Sequence, residues 1–543
     1  METDYTSWSN ADLVKRVSEL EAQLRAQNTL HSTPLRASSL EAKKKPKKAP
    51  KPFDPNRYTF RKIALKFAYL GGNYNGYEHH TNNITPLPTI EETLWRALRK
   101  TRLIFPTYKP GQNEEDVNWE GCEYSKCGRT DRGVSAFGQV VGIKVRSNRP
   151  KAVVPAIPTE QANEADKDGE HSVGVESPAP EFDPIADELP YIQLLNRVLP
   201  PDIRVLAWCP APSPDFSARF NCKERRYRYF FTNPAYMPLP GSRPDKRRGP
   251  EDGWLDVEAM NEAAKKYEGL HDFRNLCKID ASKQITNFER RIFHAGIHKV
   301  EPSLETSDDN QAIPSPQLYW FEVRGSAFLW HQVRHLVAVL FLVGQGYEEP
   351  SIVDDLLDMQ KTPARPVYEM ASDIPLVLWD CIFPNAEGLA SADHADGEKN
   401  PSGYHDSMEW IYVGDERGGR DQSKRALIAV EDGKHGRNGI MEELWALWRQ
   451  RKMDEVLASS LMSVVSTQGG KLEPTHVEAR LDSERSARLF DGSEFPRTIG
   501  KYVKVANRER LETPDVVNAR YALRKGLDSN GRRPSNSAVD ADE

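Results

Sequence analysis

The 543-residue chain predicts an α+β fold built on an antiparallel or mixed sheet. Three observations carry this. The candidate strands alternate apolar and polar residues, unlike the continuously apolar strands of a doubly wound parallel sheet. Amphipathic helical stretches fall between those strands. Long polar segments without periodicity flank and interrupt them.

In chain order, residues 1–56 read as a mostly disordered tail. Leu13, Val17, Leu20 and Leu24 keep a/d heptad spacing, enough for a short amphipathic helix and too little for a stable coiled coil. Lys43 to Lys51 holds six lysines and two prolines, the composition of a nuclear-import address, a phosphate-binding arm or a solvated linker. Residues 57–210 form a first folded half. Ile63, Leu65, Phe67 and Tyr69 mark a strand, and a Gly/Asn-rich turn from Gly71 to Gly76 follows. Thr89 and Glu92 make a capping box for a helix with Ile90, Leu94, Ala97 and Leu98 on its apolar face. Gln139 to Val145 is a second strand. Residues 148–188 read as a disordered acidic insertion, after which Tyr191 to Leu199 is helical. Residues 211–386 form a second half. Its strands begin after Phe216, a polar insertion covers 301–317, Leu318 to Arg324 is a strand, and Phe328 to Val343 is a strongly apolar helix closed by Gly344. Residues 387–543 read as a partly helical extension, with Glu442 to Ser460 helical and the end frayed.

Composition narrows the function classes. A mean hydropathy of -0.67 with 28% charged residues fits a soluble core with polar extensions. The polar N-terminus has no apolar h-region of a secretory signal. The longest apolar run, Leu336 to Gly344, is far too short to span a bilayer, so no membrane partner is expected. Six cysteines in this length suggest a reducing compartment, nucleus or cytoplasm. Cys122 and Cys127 lack zinc-knuckle spacing, and no metal site is expected. The net charge of -6, taken as a whole, disfavours nucleic acid. Residues 151–189, however, hold ten Asp or Glu against two Lys, so the remainder is near neutral and carries local basic clusters.

The string Lys126-Cys127-Gly128-Arg129-Thr130-Asp131-Arg132-Gly133-Val134-Ser135 sets one carboxylate between two guanidinium groups, with glycines that let a ligand approach closely. Arg129 and Arg132 suit phosphates while Asp131 carries chemistry. In isolation an Arg-Thr-Asp triplet is more often a surface ion pair in a turn. Phe216 to Phe220 precedes Lys223 to Tyr229, where basic residues interleave with aromatics. That pattern suits single-stranded or flipped nucleotides, or an ordinary strand with Tyr227, Tyr229 and Phe231 facing a core. Arg334 lies in the apolar helix, where it either pairs with a carboxylate such as Asp131 or snorkels from the rim. His331 and His335 share that helix at i, i+4 spacing, but no third ligand makes them a zinc site.

Together these blocks resemble the TruA family of tRNA pseudouridine synthases. Ile63 to Glu78 resembles its first motif, Cys127 to Ala136 its catalytic motif, Phe216 to Phe220 with Arg225 to Tyr229 its third block, and Phe328 to Gly344 its fourth. Tyr368 to Asp380 and Lys501 to Gly526 are similar to the eukaryotic branch that modifies uridines 38 and 39 of the anticodon stem-loop. The resemblance implies two similar RRM-like halves forming one extended antiparallel or mixed sheet with flanking helices and a central RNA-binding cleft. It implies a cofactor-free isomerase, with tRNA as partner and a homodimer as the assembly. It also implies residue roles. Asp131 acts as nucleophile or as base at the 2′-proton. Tyr227 stacks on the uracil and serves as an acid or base at C5. Arg129 fills the space of the flipped nucleotide or holds its phosphate, and Arg132 is an outer phosphate contact. Arg334 pairs with Asp131, and Leu376 lines the uracil pocket. Three other readings stand beside this one: a synthase of the same type acting at other uridines, an inactive RNA-binding adaptor of the same fold, and a phosphate-ester hydrolase, which would need a metal.

Overall fold

In the computed structural model, the described residues are 53–80, 85–151, 182–238, 253–300, 316–393, 403–415, 433–436, 439–469 and 487–526, with Arg16 in addition. The heptad helix and the lysine run lie outside them, as do most of the two insertions. Contacts divide the chain into Met1–Asp54 and Pro55–Glu543; the fold below is that of the second unit.

The first half contributes β1 (Thr59–Tyr69), α1 (Ile90–Lys100), β2 (Ser125–Lys126), β3 (Ser135–Ser147), α2 (Tyr191–Asn196) and β4 (Ile203–Cys209). Thr89 accepts the Glu92 amide at 3.2 Å, so the predicted N-cap forms. The second half contributes β5 (Glu224–Asn233), α3 (Val257–Lys265), β6 (Gly269–Asp272), β7 (Glu289–Lys299), β8 (Gln317–Gly325), α4 (Gln332–Gly344), α5 (Ile352–Leu357) and β9 (Leu376–Ile382). Beyond it lie β10 (Ile411–Tyr412), α6 (Ile440–Ser466), β11 (Ala487–Leu489), β12 (Arg497–Ile499) and α7 (Pro514–Lys525).

One ten-stranded sheet runs β10-β4-β1-β3-β9-β5-β8-β7-β6, with β2 paired to β3. Its pairings are antiparallel except for β3 with β9, where Ser135 meets Val377 and Ala136 meets Leu378. The sheet is therefore mixed, and its one parallel pair joins the two halves. Two apolar clusters flank that junction. One packs Ile90, Leu94 and Trp95 of α1 against β1 and β3, and the other packs α4 against Tyr229, Phe321 and Val323. Tyr227 touches both clusters.

The structure corrects two expectations and adds two features that the local patterns did not carry. The apolar helix begins at Gln332, four residues late, because His331 adopts φ +59° and cannot continue a right-handed helix. The strand β4 escaped the alternation test because both of its faces are buried. Residues 182–188 of the acidic insertion are ordered. There Glu188 accepts the Ser147 hydroxyl at 2.6 Å and the Asn148 amide at 2.7 Å, and it pairs with Arg61 at 3.0 Å. The extension is tied into the fold. Its β10 joins the sheet edge at β4, and Phe490 and Val505 are buried in the core of the second half.

Candidate active site

The loop bearing Asp131 spans residues 127–134, between β2 and β3, beside the parallel junction. Fully buried Gln139 of β3 clamps it: its Oε1 accepts the Gly128 amide and its Nε2 donates to the Gly128 carbonyl, both at 3.0 Å. The Tyr69 hydroxyl lies 2.7 Å from Thr130 Oγ1, and the Tyr77 amide donates to the Thr130 carbonyl at 3.0 Å. The Val134 amide closes the turn on the Asp131 carbonyl at 3.2 Å. Gly76, at φ +83°, passes so close that a Cβ there would sit 3.0 Å from the Thr130 oxygen and 3.1 Å from the Asp131 carbonyl carbon. The Gly/Asn-rich turn is thus the floor under the Asp131 loop. Side chain and backbone together hold the loop that carries the carboxylate in one place, with about a quarter of the Asp131 side chain exposed.

Strand β5 supplies the opposite wall. Tyr227 is partly buried, its ring edge-on to Phe328 with centroids 5.1 Å apart. Burial pushes its phenol far above the usual range, so it stays protonated. Tyr229 and Phe231, on the same face, belong to the core, which is the ordinary reading of that strand. Arg225 is a tie rather than a phosphate contact. It donates to the Ser326 carbonyl at 3.0 Å and to the Cys127 and Arg219 carbonyls at 3.2 Å, joining the catalytic motif to the third block and to the end of β8.

The expected Arg334–Asp131 pair is not formed. Arg334 Nε donates to the Ala371 carbonyl at 2.7 Å, while the Ala371 amide donates back to the Arg334 carbonyl at 3.2 Å. This clamp turns the guanidinium toward Asp373, whose Oδ2 is 4.0 Å away. Asp373 in turn rests against Gly133, where a Cβ would lie 3.1 Å from its carboxyl carbon. Arg334 therefore reaches the Asp131 loop through Asp373. The side chain that faces Asp131 is His331, with Nε2 3.4 Å from Asp131 Oδ2 and its Nδ1 buried without a partner. Its ring packs on Trp330 at 4.6 Å. The left-handed turn that delays the helix is what aims this imidazole at the carboxylate.

The chain is similar to known proteins. The family model described as tRNA pseudouridine synthase matches residues 263–384, the half that holds His331, Arg334 and Leu376. The chain is 40% identical over 527 residues to the tRNA pseudouridine(38/39) synthase of Saccharomyces cerevisiae, covering 96% of this chain and 92% of that protein. The chain belongs to the tRNA pseudouridine synthase family. The tRNA pseudouridine(38/39) synthase of Homo sapiens is 41% identical over 69% of this chain and 67% of its own length. The tRNA pseudouridine synthase A of Methanothrix thermoacetophila is 26% identical over 70% of this chain and 97% of its own.

Within this tRNA pseudouridine synthase family member, the remaining expected site residues fall as follows. Arg129 is exposed at the rim, pairing with Glu78 at 3.2 Å; Glu78 also holds Lys126 at 3.0 Å. Burial raises the Glu78 carboxyl, and Lys126 and Arg129 together bring it below the ordinary range. Arg132 is exposed. Leu376 begins β9 opposite Tyr229 and is buried among core residues of the second half. Sequence reasoning missed Gln139, Tyr69, Asp373 and the facing role of His331. Of these only His331 carried a signal, a polar residue at the mouth of an apolar helix.

Proposed function

We propose that this chain isomerises uridine to pseudouridine at positions 38 and 39 of the tRNA anticodon stem-loop, with Asp131 as the acting carboxylate. The observation that carries the reading is the immobilised Asp131, facing His331 and flanked by Tyr227, in a chain whose relatives bear that activity in their names. The reaction breaks N1–C1′, rotates the base and joins C5 to C1′, and no atom enters or leaves overall. A fixed carboxylate at the ribose suffices, either as nucleophile at C1′ or as base at the 2′-proton. The uridine must leave its stack, at a cost of a few kcal/mol. Exposed Arg129 and Arg132 meet the displaced backbone. The Tyr227 ring offers a stacking face, and its protonated phenol is a donor, not a base, at neutral pH. Leu376 backs the pocket through Tyr229. Arg334 positions the loop through Asp373. The functional unit is a homodimer whose tRNA crosses both subunits. Exposed Trp445, Trp448, Leu457 and Leu461 on α6 supply apolar surface of the kind subunit contacts cover.

The test is position-resolved pseudouridine mapping of tRNA from a strain lacking the gene, complemented with wild type or Asp131→Ala. Wild type should restore pseudouridine at 38 and 39, and Asp131→Ala should restore none while still binding tRNA. Restoration confined to other positions would refute the target assignment. Full activity of the variant would refute the role of Asp131.

A further inference from the structure

Directly behind the catalytic loop, three cysteines distant in sequence converge. Cys127 opens the loop, Cys222 lies two residues before β5, and Cys381 sits in β9 opposite Arg225. Their sulfurs all lie within 4.8 Å of one another, and the three residues are at most 5% exposed. We propose that Cys127, Cys222 and Cys381 form a three-thiolate site for one thiophilic d10 cation, zinc(II) or copper(I), that staples the catalytic loop to both halves of the sheet.

Several features set this trio apart from cysteines that merely fill a core. The backbone is fixed at each position before any ion binds. The Cys127 amide donates to the Val140 carbonyl at 2.9 Å, and Lys223, next to Cys222, donates its amide to the Ile382 carbonyl at 3.0 Å. Cys381 is held in the β5–β9 ladder. Zinc–sulfur bonds of about 2.3 Å in tetrahedral geometry need sulfurs about 3.8 Å apart, so closing the trio on an ion takes about 1 Å of side-chain movement and no refolding. The electrostatics also fit. Arg225 lies within reach, bonded to the Cys127 carbonyl. Three thiolates around zinc(II) carry one net negative charge, which one guanidinium neutralises. Cys122, Cys209 and Cys277 are buried too, but none belongs to such a group among the described residues. Soft thiolate ligands select zinc and copper(I) over hard cations. The contiguous sequence hid the site because its ligands lie 95 and 159 positions apart and meet only when β3, β5 and β9 assemble.

The site is tested on the full-length protein, expressed in zinc- and copper-supplemented medium and purified without chelator. Inductively coupled plasma mass spectrometry should find about one equivalent of zinc or copper in wild type, and below about 0.2 in Cys222→Ala and in Cys381→Ala. Which metal is present tells the two sources apart. Cobalt(II)-loaded wild type should show sulfur-to-cobalt charge transfer that both variants lose. Circular dichroism checks that the variants are folded, and the wild-type measurements hold whether or not they are. Metal-free wild type would overturn the site. So would metal content unchanged in both variants, which would move the ion elsewhere, with His294, His298 and Glu322 as the other cluster. No readout depends on pseudouridine formation, so this inference and the proposed activity can fail separately.

Discussion

His331 holds an unfavourable backbone conformation, φ +59°, in order to face Asp131 at 3.4 Å. A left-handed non-glycine residue costs about 1–3 kcal/mol and persists only where its surroundings demand it. Asparagine tolerates that conformation better than most residues, yet its amide is shorter and carries no imidazole. His331→Asn should therefore keep the turn and the helix start while releasing the carboxylate. We expect kcat to fall about 10²-fold, with tRNA binding and melting temperature close to wild type, because a positioning contact acts on the transition state more than on binding. Single-turnover kinetics and filter binding check this, and an equal loss in both would assign His331 to tRNA binding instead. At this scale Asp131 was legible because its neighbours are contiguous. Gln139, eleven residues from the Gly128 it clamps, and Tyr69, sixty-one from Thr130, were not, because a lone buried polar residue looks like any other until its partner is seen.

Helix α4 shows how an element can be read correctly and still be misplaced. Its apolar run identified a buried helix, but the break at His331 leaves no glycine or asparagine to announce it. One turn further on, His335 is sealed inside. Its Nε2 accepts from Arg365 at 2.7 Å and its ring meets Tyr368 edge-on at 5.3 Å. Burial, and then the charges of Arg365, His331, Arg334 and Lys278, push its pKa down to about 2. The folded state therefore keeps His335 neutral, whereas the unfolded chain protonates it below about pH 6.5. The stability tied to this neutrality is complete above pH 6.5 and declines as pH falls toward 2, at about 1.4 kcal/mol per pH unit. Between pH 6.5 and 5 that amounts to about 2 kcal/mol. His335→Gln can still accept from Arg365 but does not titrate, so its stability should fall less over this interval. Denaturant melts of both proteins at the two pH values measure the difference, and parallel losses would contradict a neutral buried His335.

The whole molecule joins a core that was legible from local pattern to an extension that was not. Period-two strands, a capped helix and collinear motifs gave the two halves. Residues 487–526 showed a resemblance at Lys501 to Gly526 but no periodicity, because their order comes from contacts made elsewhere. Phe490 packs on Phe341 with centroids 4.9 Å apart, and it exchanges backbone hydrogen bonds with the Gln345 side chain at 2.7 and 3.0 Å. Glu348, 7% exposed, accepts from the Tyr502 hydroxyl and the Val505 amide, each at 2.7 Å. The Asp491 carbonyl accepts the Ser372 amide at 2.8 Å, one residue from the Asp373 that braces the Asp131 loop. A chain ending at residue 486 would lose all of these. Removing a buried phenylalanine costs about 3–5 kcal/mol, and stripping Glu348 of its partners adds about 1–3 kcal/mol. A chain ending at 526 keeps them. We therefore expect the shorter truncation to melt well below wild type and to lose pseudouridine formation even at temperatures where it is folded, because Ser372 and Asp373 lose their brace. The longer form should match wild type in both. Melting curves with activity measured below each transition separate the effects: a chain ending at 486 that melts like wild type would remove the extension from the core, and one that melts low yet stays fully active when folded would uncouple Asp491 from the catalytic loop.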